Sequence, residues 1–140
     1  FAVQNALRLL LLRRCGLRPV AYLGYSIGEL AAAVGAGALT EDDVVSLFAD
    51  TAYAGFEPGG AMAVVSGVDR AALDRAVADT DDGTLVVAAQ YSEGDFMVAG
   101  RRAAVDALAA ALPRGARRTI LGDAPHAYHS PLHFVVTRPR

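Results

Sequence analysis

The feature that most constrains the fold is the pentapeptide Gly-Tyr-Ser-Ile-Gly at residues 24–28, which lies between a short apolar run and an alanine-rich run. Residues 19–23 favour a buried strand, and residues 27–35 favour a helix. A serine between glycines at a strand-to-helix turn is typical of a nucleophile elbow, where the serine is strained and the glycines avoid Cβ clashes. The pattern predicts that Ser26 is a covalent nucleophile and that the N–H of Ile27 binds an oxyanion.

The composition is that of a globular enzyme core and gives no sign of a nucleic-acid or membrane partner. Of the 140 residues, 54% are hydrophobic and 20% are charged, with a formal net charge of -2. All 13 basic residues are arginine, which indicates compositional bias rather than a basic surface. Arg8 and Arg13 interrupt the first apolar segment, so no run is long enough to span a membrane. The single Cys15 fits a reducing compartment, and we expect a cytoplasmic protein.

The remaining pattern predicts helices first and then a regular alternation of strands and helices. Helices are expected at 1–14 and from the N-cap Thr40 to about residue 54, followed by a loop at 55–60. Beyond that loop, strands are expected at 61–66, 85–90, 95–99 and 116–121, and helices at 70–78 and 102–112. This βαββαβ order is the ferredoxin-like arrangement. The predicted fold class is α/β, a partial α/β-hydrolase-like elbow unit with an inserted ferredoxin-like subdomain.

Two longer motifs carry a family resemblance. They are Gly-Tyr-Ser-Ile-Gly-Glu-Leu at 24–30 and His-Ala-Tyr-His-Ser-Pro-Leu at 126–132. Together with residues 1–4, 60–63 and 94–100, they resemble the motifs of the malonyl-CoA:acyl-carrier-protein transacylase family, which includes the acyltransferase domains of polyketide synthases. We therefore expect a partial large acyltransferase subdomain at 1–58, a small ferredoxin-like subdomain at 59–122, and a return to the large subdomain at 123–140, with a tail that diverges after residue 132.

The resemblance implies a role for each candidate site residue. Ser26 would attack an acyl-CoA thioester, His129 would take its proton, and the acyl-enzyme would pass its group to the phosphopantetheine thiol of an acyl carrier protein. Tyr25, His126 and Tyr128 are the implied substrate-binding residues, and no bound cofactor or metal is expected. Family members are longer, so an upstream piece with the second oxyanion donor is expected to be absent, at a cost of about 100- to 1000-fold in rate.

One departure from the family pattern bears on the acyl group. Malonyl-selective members carry an arginine downstream of the serine, where it pairs with the carboxylate of the substrate. Here residues 49–53 read Ala-Asp-Thr-Ala-Tyr, and no arginine occurs between Arg18 and Arg70. A buried carboxylate without its partner loses about 2 to 5 kcal/mol. The sequence therefore predicts a neutral acyl group, such as acetyl, rather than malonyl.

Other interpretations stay open from the sequence. Water could replace the carrier thiol, which would make the protein an acyl-thioester hydrolase, and the Tyr-Ser pair is also similar to the malonate decarboxylase transacylase subunit. A lipase or esterase would need an acid before His129, for which Asp106 and Asp123 are candidates. The imidazoles of His126, His129 and His133 could bind zinc beside Asp123. An impaired remnant or a carrier-docking module is the non-catalytic alternative.

Overall fold

The computed structural model describes residues 1–51, 54–56, 58–80, 83–122 and 126–135, and these form two compact units. The first unit contains the described residues up to 51, and the second contains those from 54 to 135. Within the described ranges, no helix is long and apolar enough to cross a membrane. Residues 126–135 lie in the second unit, whereas the assignment of 123–140 to the larger subdomain stays a prediction.

All the regular secondary structure described in the first unit is helical. Its helices are α1 (Ala2–Arg14), α2 (Ile27–Gly35) and α3 (Glu41–Thr51). Helix α2 has the predicted bounds, and α3 follows the predicted cap: Thr40 Oγ1 accepts a hydrogen bond from the N–H of Asp43 (3.0 Å). In return, the N–H and the hydroxyl of Thr40 donate to the Asp43 carboxylate, which lowers the pKa of Asp43.

A buried polar contact joins α1 to the start of α3. Asn5 is buried, and its side-chain N–H donates to Glu41 Oε1 at 2.8 Å. Its carbonyl oxygen accepts two hydrogen bonds from the Arg8 guanidinium, at 2.9 Å and 2.7 Å. The amide therefore has partners on both of its ends, as a buried polar group requires.

The prediction of a buried strand at residues 19–23 is wrong. The segment forms no strand, and the side chains of Val20 and Leu23 are almost fully exposed. A strand is made by hydrogen bonds to a neighbouring strand, and the described part of the first unit contains none. The segment is instead held by Tyr22, whose ring occupies the space where a side chain on Gly35 would lie.

The second unit is built mainly from antiparallel strands. Its elements are β1 (Ala54–Phe56), β2 (Gly60–Ser66), α4 (Arg70–Thr80), β3 (Val86–Gln90), β4 (Asp95–Arg101), α5 (Arg102–Ala111), β5 (Arg117–Ile120) and β6 (His133–Val135). Four strands form one sheet in the order β3-β4-β2-β5, in which every neighbouring pair is antiparallel. From β2 to β5 the elements follow the predicted order, with bounds that differ by a few residues.

A separate pair of short strands corrects one prediction. Strand β1 falls partly in the predicted loop at 55–60, and its partner β6 lies after residue 132, where no secondary structure was predicted. The two strands pair antiparallel, with Ala54 opposite Val135 and Phe56 opposite His133. Because the partners are far apart in sequence, local turn signals could not reveal this pairing.

Alternating side chains of the sheet build one core on each face. Ala63, Val65 and Phe96 are fully buried on the face that packs against Leu73 of α4 and Leu108 of α5. A second cluster joins Met62 and Ala99, on the intervening positions of β2 and β4, to Ala127 and Leu132. The period of two that defines a strand therefore positions both the helices and residues 127–132.

We expect Phe96→Ala to lower the free energy of unfolding by about 3 to 5 kcal/mol, because it removes the largest fully buried side chain among the described residues and leaves a cavity. Phe96→Leu keeps most of the apolar volume and should cost clearly less. Urea denaturation at equilibrium measures both changes. Equal losses for the two variants would contradict the packing described for this face.

Candidate active site

The backbone of Ser26 is in a conformation that favours glycine. Ser26 is the N-cap of α2 and has φ 52° and ψ -120°. Among the described residues, only Ser26 and His129 combine a positive φ with a side chain. A residue held in such a region costs about 1 to 3 kcal/mol, and the surrounding structure must compensate. The strain predicted for an elbow serine is therefore present.

The two glycines beside Ser26 do not have the same steric role. A Cβ atom on Gly24 would overlap the carbonyl group of Gly28 and the backbone nitrogen of Glu29. A Cβ atom on Gly28 would meet only the side-chain nitrogen of Gln4, at an ordinary contact distance of 3.6 Å. The prediction that glycine is needed is therefore confirmed at position 24. At position 28 it is wrong, because no atom of the described residues would clash with a Cβ atom there.

Backbone N–H groups at the start of α2 point to a candidate oxyanion donor. The N–H of Gly28 donates to the carbonyl of Tyr25 (2.8 Å), and that of Glu29 donates to the carbonyl of Ser26 (2.9 Å). The first N–H groups of a helix have no acceptor four residues earlier, and Ile27 provides the first of them. The helix dipole favours negative charge at this end. The geometry therefore suits the predicted role of the Ile27 N–H.

A cavity of about 690 Å³ lies beside the elbow within the first unit. Leucine, alanine and tyrosine side chains make most of its wall, and Tyr25, Gly24 and Gly28 lie at its border. Gln4 and Arg8 add polar groups to the wall. The Arg8 guanidinium is already bound by Asn5 and forms an ion pair with Glu41 at 3.5 Å. A mainly apolar wall with few polar groups is typical of a small-molecule site.

The second strained residue, His129, lies in the second unit and has φ 58°. Its side chain is exposed, whereas Ala127 and Leu132 on either side are buried in the core. The next residue, Ser130, is buried, and its carbonyl accepts a hydrogen bond from the N–H of His133 at 3.0 Å. The candidate base therefore stands on a short turn whose ends are anchored.

Aromatic rings next to His129 stack edge to face. The rings of His126 and Tyr128 are 6.0 Å apart at an angle of 85°, and those of Tyr128 and His133 are 5.6 Å apart at 75°. Edge-to-face geometry is favourable because the positive ring edge meets the negative face. The predicted binding residues His126 and Tyr128 are therefore brought together, and His133 joins them.

Two predictions concern the partners of His129, which are Ser26 and, for the esterase alternative, a carboxylate. Ser26 belongs to the first unit and His129 to the second, so their pairing stays a prediction. The carboxylate of Asp106, a candidate acid for the esterase alternative, is instead bound by Arg118 and Arg102, each at 2.8 Å. These bonds hold the pKa of Asp106 below its usual value, with Arg118 the larger cause. The other candidate acid, Asp123, lies outside the described residues.

The described residues contain no group of three or more His, Cys, Asp or Glu side chains that could hold a metal ion. The aspartate of the zinc alternative, Asp123, is not among them. The expectation that no metal is bound stays a prediction.

Sequence analysis did not assign a supporting role to four residues in or next to the histidine motif. Ser130 lies inside the turn, Ala127 and Leu132 are core anchors, and His133 contacts Tyr128. A serine followed by proline is a turn signal, so Ser130 could have been noticed. The anchors could not, because their burial depends on Met62 and the rest of a distant sheet.

Comparisons with known proteins agree with these motifs. The family model described as acyl transferase domain matches residues 1–137. The chain is 36% identical to the phenolphthiocerol synthesis polyketide synthase type I Pks15/1 of Mycobacterium marinum, over 94% of this chain and 6% of that protein. It is 33% identical to the malonyl CoA-acyl carrier protein transacylase of Haemophilus influenzae, over 88% of this chain and 40% of that protein.

A solved structure is similar over almost the same extent. It is the acyltransferase domain from the second module of the salinomycin polyketide synthase, with a TM-score of 0.80 and 34% identity, over 94% of this chain and 31% of that chain. The chain therefore spans less than half the length of each of these proteins.

We expect Gly24→Ala to destabilise the protein strongly, because the new methyl group would overlap the backbone of Gly28 and Glu29. Gly28→Ala is the matched control: it adds the same methyl group in the same turn, at an ordinary contact distance. Its free energy of unfolding should change by less than about 1 kcal/mol, since alanine also favours the helix. Chemical denaturation of both variants measures the difference. Similar stabilities would contradict the close approach at Gly24.

Proposed function

The chain belongs to the acyltransferase domain family, and on that premise we propose that the whole protein moves an acyl group from acyl-CoA to the phosphopantetheine thiol of an acyl carrier protein. The observation that carries the proposal is the strained Ser26 at the N-terminus of α2. The chain spans 6% and 40% of the two curated relatives, so the proposal concerns a reaction of the complete protein.

The first half-reaction forms an acyl-serine. Ser26 Oγ bonds to the carbonyl carbon of the thioester while the imidazole of His129 takes the hydroxyl proton. The N–H of Ile27 donates to the oxygen that becomes negatively charged, which stabilises the tetrahedral intermediate. The carbon–sulfur bond then breaks, and CoA leaves as a thiol with the proton from His129.

The second half-reaction transfers the acyl group to the carrier. The phosphopantetheine thiol gives its proton to His129 and attacks the acyl-serine, and Ser26 Oγ recovers a proton as the ester bond breaks. Histidine suits this double use because it accepts and returns a proton near neutral pH. The name of the Haemophilus influenzae relative, a malonyl CoA-acyl carrier protein transacylase, supports a carrier protein as acceptor.

The proposed acyl group is neutral, such as acetyl, and the family resemblance implies Tyr25, His126 and Tyr128 as the residues that bind it. The support is that the chain has no arginine between Arg18 and Arg70 to bind a carboxylate. The arginine that borders the elbow cavity, Arg8, already binds Asn5 and Glu41. A carboxylate bound there would compete with these partners.

The proposal also includes a fold type for each of the two units. A serine with positive φ before α2 supports an elbow of the α/β-hydrolase kind in the first unit. In the second unit, the antiparallel order β3-β4-β2-β5 with its two helices supports a ferredoxin-like subdomain. A cytoplasmic location goes with this proposal, because acyl-CoA and carrier proteins are the expected reactants.

We expect Ser26→Ala to abolish formation of the acyl-enzyme, because it removes the attacking oxygen. The complete protein is mixed with radiolabelled acetyl-CoA, quenched in acid, and digested so that the label can be assigned to a peptide. Ser46→Ala, an exposed serine on α3 of the same unit, is the control and should label as the unchanged protein does. Label at a residue other than Ser26, or no label with any acyl-CoA, would contradict the proposal.

We expect single-turnover acylation of the complete protein to be faster with acetyl-CoA than with malonyl-CoA. The factor should be about 30 or more, because an unpaired buried carboxylate loses about 2 to 5 kcal/mol. Quenched-flow measurement of the acyl-enzyme at equal concentrations of the two thioesters gives the ratio. A strong preference for malonyl would overturn the assignment of a neutral acyl group while leaving acyl transfer intact. Loss of the acyl group to water, without a labelled carrier, would favour the thioester hydrolase.

A further inference from the structure

The turn that carries His129 is held in an unfavourable backbone conformation. Its φ of 58° lies in the left-handed region, which residues with a side chain adopt only when neighbouring contacts enforce it. The anchors Ala127 and Leu132 are 1% and 3% exposed, so both ends of the turn are fixed in the core. Anchored ends restrict the path of the turn but do not select the conformation of the residues between them.

Ser130 supplies the contacts inside this turn. Its hydroxyl donates to the carbonyl of Ala127 at 2.7 Å and accepts from the N–H of Leu132 at 3.2 Å. The side chain therefore bridges the two core anchors. Ser130 is only 9% exposed, so water has little access to replace these bonds.

Pro131 explains why a side chain must make this bridge. Proline has no N–H to donate, and it restricts the residue before it to extended conformations. The turn therefore lacks one of the backbone donors that would otherwise close it. The hydroxyl of Ser130 provides both a donor and an acceptor at that place.

We propose that Ser130 is a positioning residue that acts through His129: by bridging Ala127 and Leu132, its hydroxyl keeps the turn in the conformation that presents the imidazole as the base. This inference rests on the proposed role of His129 in acyl transfer. It adds a residue to the site whose own side chain faces the core and does not need to touch the substrate.

Single-turnover acylation of Ser26 tests the role. Ser130→Ala should slow acylation by about 10- to 100-fold with little change in the concentration for half-saturation, because a misplaced base affects the chemical step. Ser130→Thr, which keeps a hydroxyl, should recover most of the rate. The matched control is Ser92→Ala: the hydroxyl of Ser92 likewise donates to Asp95 (2.7 Å) and accepts from Gly94 (3.2 Å) in the same unit, and its loss should leave the rate unchanged.

A double-mutant cycle separates positioning from general damage. If Ser130 acts only through His129, then Ser130→Ala combined with His129→Ala should be no slower than His129→Ala alone. Losses that multiply would overturn the proposal, and so would an unchanged rate in Ser130→Ala. If Ser130→Ala does not fold, Ser130→Cys keeps nearly the same volume with weaker hydrogen bonds and enters the same cycle.

A structural measurement tests the role of Ser130 separately from the proposed function. If the unchanged protein forms no acyl-serine, the proposal of acyl transfer is wrong. The φ angle of His129 in crystals of Ser130→Ala still decides whether the hydroxyl holds the turn. A φ that becomes negative supports the positioning role, and a φ that stays near 58° overturns it.

Discussion

The close approach of the backbone at Gly24 to the first turn of α2 is the constraint on which the first unit depends. Because Gly24 has no Cβ, the chain can turn sharply enough to place Ser26 at the helix N-terminus with a positive φ. Ser26 is therefore followed directly by the first N–H groups of α2, which have no acceptor four residues earlier in the helix. The proposed nucleophile and the helix N-terminus beside it therefore arise from one backbone arrangement, which helps to explain how a short motif can suggest a chemical role.

The second unit also holds a residue with a side chain at a positive φ, but different contacts hold it there. His129 is also strained, but its turn contains proline and is fixed by buried side chains rather than by a glycine contact. Met62 and Ala99 of the sheet provide the surface to which the turn is anchored. A sheet is a rigid support, so the position of the imidazole within this unit is set by strand register as much as by its own motif. The small sheet is therefore part of the machinery proposed for acyl transfer.

Local signals explain which parts of the structure could be predicted. Helix α2 was predicted to its residue bounds because Ser26 and Gly35 mark its ends. The elements from β2 to β5 were predicted in order because short apolar runs and helical periodicity follow one another along this part of the chain. Elements that depend on distant partners were not: residues 19–23 have no neighbouring strand among the described residues, and β1 depends on β6. For the same reason, the motifs suggested Ser26 and His129 as candidates, whereas the contacts of Ser130 required coordinates.

The strain at Ser26 also has an evolutionary consequence. Glycine adopts a positive φ freely, so Ser26 keeps its side chain at a cost of about 1 to 3 kcal/mol in stability. If Ser26 is the proposed nucleophile, the site trades stability for reactivity, as many catalytic sites do. Selection for heat resistance alone would then favour glycine at position 26 and remove the proposed nucleophile, while the buried core stays unchanged.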